Sequence, residues 1–461
     1  MAVATILIVG MAASLLRRPA ESPRPIAERK KPNIIVISAC SIAAGPFRLI
    51  EGAIGQKDPM APSPQRKRFA SVMRGAMQLQ NYVTRHPWVF LFEYIRDRLS
   101  PARLRELGYD YYYSDVPGLS TVMRIPQLQG QLVSEGPLVL NFQESLSNLK
   151  EITTSLKEPF LFQLHAKYMH FPYYDGKNKA FLQYLELTPA LRKRLEELLA
   201  RKSIAPAEEI PLAVLFDRVK RPEAGAASIL SNQSNYTSWK GSPHFDLDRQ
   251  LILAVYRAKF YAFITDLREL MNLYGRGHLM DNTIVLFDAD HGEAMMQHGL
   301  LGHASHVYEE FIHTALWIRF PPPRSESEPF KPVPYQVTKE TVADMLVELV
   351  KGNLREENIM EWLRSHESEV VVSRNCPGTV YSARTKDHQK LIVDFESGSR
   401  QFYDIGADPG EARNLIDERA EAADALYETI LMQKAEVDSF LDRDPSGCSD
   451  TIHDAGAPNT H

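Results

Sequence analysis

Two kinds of apolar pattern run along this chain. Unbroken runs rich in β-branched and aromatic residues occur at "PNIIVIS" (32–38), Phe160 to Leu164, "NTIVLF" (282–287) and "TALWIRFP" (314–321). A strand wetted on one face alternates apolar with polar, whereas a strand covered on both faces does not. These four runs therefore predict strands inside a sheet packed on both sides. Helical spacing occurs at 142–157, which Pro159 stops, and at 188–202, which Thr188 and Pro189 open. It recurs from Asp248 to Tyr274, before Gly275, at "VTKETVADMLVELVKG" (337–352), and in the long segment 410–441. Short strand-like pieces, "EVVVSR", "KLIVDF" and "RQFYDI", follow Pro323.

Strands alternating with long helices predict an α/β fold: a mostly parallel central sheet with helices on both faces, plus a small C-terminal α+β subdomain. The expected division is 1–31 as an apolar signal or anchor segment and tether, 32–323 as the α/β domain, 324–443 as the smaller C-terminal part, and 444–461 as a tail.

Composition changes this picture little. With 461 residues, 44% apolar and 24% charged, the chain is an ordinary globular sequence. Lys and Arg number 53 against 58 Asp and Glu, a net −5 without long runs of one sign, so nucleic acid is not an expected partner. Three cysteines, Cys40, Cys376 and Cys448, make neither a disulfide scaffold nor a CxxC zinc motif. Met1 to Leu16 is almost wholly apolar and is followed by Arg17-Arg18. Sixteen residues are short for a membrane span and suit a signal-peptide core. The expected location is periplasmic, extracellular or membrane-anchored through residues 1–16.

The chemistry gathers where one strand ends. "NTIVLFDADHGEAMMQHGLLGHASHVYEEFIH" (282–313) carries five of the fourteen histidines, and its strand breaks at once into Asp288-Ala289-Asp290-His291-Gly292. In open α/β sheets, ligands collect beyond the carboxyl ends of strands. Asp290 and His291 offer carboxylate oxygen and imidazole nitrogen, ligands suited to a borderline divalent metal. Gly292 is expected to serve a tight turn. The strand 160–164 runs into a second histidine loop, with His165 and His170.

The segment from Asp281 to Pro321 resembles the signature of the sulfatase and alkaline-phosphatase-like superfamily, in which a strand ends in (T/S)-D-H-G-E and leads through E/Q-H-G, G-H and Y-E-E to a further strand. "KKPNIIVIS", "PFLFQLHAKYMHFPYYDG", the helix before the signature and "RQFYDIGADPGEARNLID" are similar to other family segments in the family's order. The resemblance implies a metal at Asp290 and His291, as Ca, Mn, Zn or Mg. It also implies a sulfate or phosphate ester ligand met by His170 and His303. Asp288 stands where the family has Thr or Ser.

Two positions depart from the pattern. Cys40 falls where the family places its first metal-binding Asp, and as thiolate it would be a softer ligand. Val89 falls at the nucleophile position, and valine cannot attack sulfur or phosphorus. Thr84 and Ser100 are the nearest aliphatic hydroxyls. The implied function is a sulfatase-superfamily protein with weak or no catalysis. Two other readings stay open: an active, divergent metal-dependent ester hydrolase or transferase, and a non-catalytic envelope protein.

Overall fold

A computed structural model describes residues 30–39, 41–42, 76–83, 91–114, 157–166, 169, 172–174, 180–216, 233–276, 279–303, 306–321, 331–375 and 377–441. In chain order its elements are β1 (Asn33–Ala39), β2 (Met77–Tyr82), α1 (Leu91–Arg98), α2 (Pro101–Glu106), β3 (Asp110–Ser114), β4 (Phe160–Ala166), α3 (Pro189–Ala200), α4 (Glu209–Phe216), α5 (Gln233–Lys240) and α6 (Phe245–Arg276). Then come β5 (Thr283–Ala289), β6 (Ala294–Met295), β7 (Leu301–Gly302), α7 (Glu309–Ile312), β8 (His313–Thr314), β9 (Leu316–Arg319), β10 (Lys331–Thr338), α8 (Lys339–Lys351) and α9 (Ile359–Ser365). The last are β11 (Val370–Arg374), β12 (Val380–Thr385), β13 (Gln389–Asp394), β14 (Arg400–Asp404) and α10 (Ala420–Leu441). Residues 1–16, the helix expected at 142–157, and the tail 444–461 lie outside the described residues.

The large sheet runs β10-β2-β9-β5-β1-β4-β3, with β8 also on β2. β1 lies between β5 and β4, parallel to both, with Ala39 opposite Ala289 and Ala166. β9 is antiparallel to β5. The unbroken apolar runs are covered on both faces, as their composition requires. Ile35, Ile37, Val285 and Phe287 pack toward α6, and Ile34, Val36, Ile284 and Leu286 pack toward α1 and α8. Each buried side chain of this size contributes about 1.5–3 kcal/mol relative to exposure.

α6 begins three residues before the predicted start, with Asp246 and Asp248 in its first turn, and passes through Gly275 to Arg276. Thr338 caps α8 by accepting from the Thr341 amide, and Gly352 ends it at φ 79°. Ser100, one of the two aliphatic hydroxyls nearest Val89 in sequence, is the cap of α2 and accepts from the Arg103 amide at 3.2 Å.

β11 to β14 form a separate antiparallel sheet. One face covers α10 through Val372, Tyr381, Leu391 and Ile430. The other buries Val371, Val380 and Ile392 against Tyr82 of β2 and against Val307, Tyr308, Phe311 and Ile312, in the segment that follows β5. The small sheet thus backs the segment that carries the chemistry.

Candidate functional site

β1 and β5 leave the sheet side by side. The Asp290 amide donates to Ala39 O (3.1 Å) and the Ile42 amide to His291 O (3.0 Å), so the two chain segments stay paired past the strand ends. The loop after β5 then doubles back through β6 and β7, paired antiparallel with Ala294 opposite Gly302. That hairpin returns His303 to His291. Their ring centroids lie 4.3 Å apart, tilted by 31°.

Gly292 is needed here for close approach, not for the turn conformation first expected. A Cβ on it would lie 1.9 Å from Glu310 O. The Gly292 amide donates to Phe311 O (2.8 Å), which seats the DHG turn on the backbone of α7.

Glu293 is the residue that sequence reasoning passed over. It is fully buried, accepts from His303 Nδ1–H at 2.8 Å, and accepts from the Tyr173 hydroxyl at 2.5 Å. Burial alone would raise its pKa, but His303 first, then His291 and Tyr173, outweigh that and hold it below the ordinary glutamate value. His291 Nδ1–H donates to Gly292 O at 2.9 Å. For His291 the Nδ1–H bond to Gly292 O sets the tautomer whose lone pair is on Nε2, the form a metal ion accepts, and Glu293 fixes the orientation of the His303 ring. Burial, helped by His303, lowers the His291 pKa to about 4 although Asp290 and Glu293 pull the other way. At neutral pH this ring is uncharged.

His291, Glu293 and His303 each bring one ligand atom to within 4.8 Å of the others. Among the described residues this is the group with metal-ligand spacing. Asp290 sits at its margin, fully buried, with Oδ1 accepting the His291 amide at 3.2 Å. Of the other predicted site residues, His303 is brought to His291, whereas Cys40, Val89 and His170 lie outside the described residues.

Asp288 is buried on the opposite face of β5. It pairs with Lys339 Nζ at 2.5 Å and accepts from Asn81 Nδ2 at 3.2 Å. Lys339 starts α8 and was not legible as a partner, because 51 residues separate it from Asp288.

The loop's remaining histidines pack it on itself and against neighbouring segments. His298 stacks on Tyr308 at 3.8 Å, meets Glu310 Oε1 through Nδ1 (2.8 Å) and Glu411 O through Nε2 (3.2 Å). His306 stacks on the same tyrosine, and His313 stacks on Tyr82. Burial opposes charge on His298, but Glu310 and the Glu411 carbonyl outweigh it and raise the pKa. A raised folded-state pKa contributes stability that is present below the unfolded histidine value of about 6.5 and is lost as pH rises through the folded value. His291, lowered to about 4, has the opposite sign: stability is lost as pH falls from about 6.5 toward that value. Urea melts of His298→Ala against the unaltered chain should therefore show a larger deficit at pH 6 than at pH 8.5. Equal deficits at both would exclude the charged contact.

Comparison with known proteins agrees with this fold. No protein-family model matches the sequence. Arylsulfatase K of Gallus gallus is 24% identical over 241 residues, 47% of this chain, and the match spans 44% of that relative's own length. A protein solved in complex with its substrate D-glucosamine-2-N,6-O-disulfate superposes with a TM-score of 0.57 at 14% identity, covering 90% of this chain and 99% of the other. The phosphonate monoester hydrolase of Agrobacterium radiobacter gives a TM-score of 0.52 at 14% identity, covering 88% and 96%.

Proposed function

We propose that this chain, which belongs by fold to the sulfatase and alkaline-phosphatase-like superfamily, binds the charged group of a sulfate or phosphate ester together with a divalent metal ion, and hydrolyses it slowly or not at all. The observation that carries this reading is the buried cluster of His291, Glu293 and His303, with the His291 tautomer fixed by Gly292 O and the His303 ring oriented by Glu293. Two imidazole nitrogens with a carboxylate ligand suit Zn²⁺ or Mn²⁺ better than Ca²⁺ or Mg²⁺, which prefer all-oxygen shells, while Glu293 orients His303 through Nδ1. Asp290 is proposed as a further ligand from the same turn. A bound ion would act as a Lewis acid on an ester oxygen. The protein's own part is to hold His291 neutral and His303 oriented, with Tyr173 fixing Glu293 behind them.

Slow turnover is supported by Val89 at the family nucleophile position. Losing a nucleophile can lower kcat by about 10⁶-fold, as happens in a serine protease stripped of its catalytic serine. Export, through the apolar residues 1–16, belongs to the same proposal; among the described residues no helix is long and apolar enough to cross a membrane.

The test incubates the purified chain with aryl sulfate, aryl phosphate and a sulfated monosaccharide, the last because one protein of this fold takes a disulfated glucosamine. Zn²⁺ and Mn²⁺ are supplied separately, and metal binding is measured alongside turnover. Little or no hydrolysis is expected, with a metal affinity that His303→Ala lowers by about 10–100-fold or more. Val89→Thr is expected to raise any residual rate. Robust hydrolysis by the unaltered chain, abolished by Asp290→Ala, would replace this reading with that of an active, divergent hydrolase.

A further inference from the structure

Ser41 is an outlier in three respects, and all three fall beside the cluster. Its φ is +62°, a left-handed conformation that L-residues other than Gly, Asn and Asp avoid. It is completely buried. Its Oγ has no hydrogen-bond partner among the described residues. Strain and an unsatisfied buried hydroxyl each weaken a fold, and such features persist where the surrounding structure over-determines them, commonly at functional sites.

The surroundings are specific. Two hydrogen bonds to the DHG turn, Asp290 N to Ala39 O and Ile42 N to His291 O, bracket positions 40 and 41. The Ser41 carbonyl accepts from the Tyr256 hydroxyl at 2.6 Å. The Tyr256 ring packs edge-on to Tyr173 at 5.3 Å, and Tyr173 in turn donates to Glu293. The backbone of Ser41 is therefore clamped from both sides by the elements that build the candidate site.

The geometry points to Ser41 as the hydroxyl donor that meets the ligand's sulfuryl or phosphoryl oxygen, a role that rests on the ester-binding reading above. In the tautomer set by Gly292 O, the Nε2 atom of His291 carries a lone pair and suits a cation. An anionic oxygen beside it calls for a hydrogen-bond donor, and a serine hydroxyl is one. Ala at this position would bury no orphan polar atom, and Gly would adopt the positive φ without strain. The hydroxyl thus weakens the fold unless a ligand uses it.

That trade-off gives a test with opposite signs for the two explanations. The probe is inorganic sulfate, titrated calorimetrically into the full chain in Zn²⁺-containing buffer, with thermal melts in parallel. Ser41→Ala and Ser41→Gly are each expected to weaken sulfate binding by tenfold or more. Ser41→Ala should melt no lower than the unaltered chain, and Ser41→Gly about 1–2 °C higher. Sulfate bound equally well by all three proteins would overturn the role of Ser41 while leaving the ester-site reading intact. Affinity and melting temperature falling together would make Ser41 structural and would overturn it too. No sulfate binding by the unaltered chain, with His303→Ala indistinguishable from it, would remove the ester-site reading and Ser41's role with it.

Discussion

Gly292→Ala is expected to leave little stably folded protein. The added Cβ would lie 1.9 Å from Glu310 O, 2.8 Å from Glu310 C and 3.2 Å from Phe311 Cα. All three are backbone atoms, so no side chain can swing aside. The backbone that must yield is itself held: Phe311 O accepts the Gly292 amide, Phe311 is buried against the small sheet, and Glu310 is paired with His298. Overpacking by a methyl group typically costs about 1–3 kcal/mol, and with held backbone as the clashing partner the upper end or more is expected. Because His291 and Glu293 flank Gly292, any relaxation also moves two members of the cluster. Chemical denaturation monitored by near-ultraviolet circular dichroism measures the loss, and metal titration of whatever remains folded measures the displacement. A variant within about 0.5 kcal/mol of the unaltered chain, the range of an inconsequential substitution, would show that the DHG turn does not rest on α7.

Lys390→Met is expected to be nearly as damaging, for an electrostatic reason. The Lys390 ammonium is fully buried between Glu411 (2.8 Å) and Glu309 (3.1 Å). Arg384 and His313 also face Glu309, each at 3.5 Å, and Glu309's amide donates to Glu411 Oε2 at 2.7 Å. Burial opposes ionisation of Glu309, but Lys390 and the neighbouring cations outweigh it and hold its pKa well below the ordinary value. Burial, together with repulsion from Glu309, pushes Glu411 up. Removing this cation, which the two carboxylates share, leaves buried charge uncompensated, which costs about 3–5 kcal/mol. Both carboxylates then favour their protonated forms more strongly, so the deficit should shrink as pH falls. Adding Glu411→Gln to Lys390→Met should recover a large part of it at pH 7.5. Urea melts at pH 7.5 and 5.5 check all three statements. A deficit that neither depends on pH nor responds to Glu411→Gln would mean that lost packing, not buried charge, is the cause.

The strands with the strongest apolar runs were legible because their burial is local information. β1, β4, β5 and β9 are covered on both faces, and a residue type that avoids water records that fact without naming its neighbours. β2 and β10 were not legible. "MQLQNY" is half polar, and its burial comes from β9, β8 and β10, which lie more than 200 residues away. "KPVPYQVT" contains two prolines that remove ladder donors, and it can be a strand because it sits at the sheet's edge.

By itself the sequence determined the class of fold, the strand end at which the chemistry gathers, and the residue types present there. Hydrophobic period, chain order and local motif carry that much. Only the tertiary structure decided which of those residues act together. Glu293 joins His303 through the β6–β7 hairpin and Tyr173 from 120 positions upstream. Asp288, adjacent in sequence to the cluster, is turned to the other face of β5 and neutralised by Lys339. The backbone around Ser41 is held by hydrogen bonds from β5's loop and from α6. The physical reason is the same in each case. Hydrogen bonds and buried charge depend on distance and direction between groups, and a linear order of residues fixes neither until the chain has closed on itself.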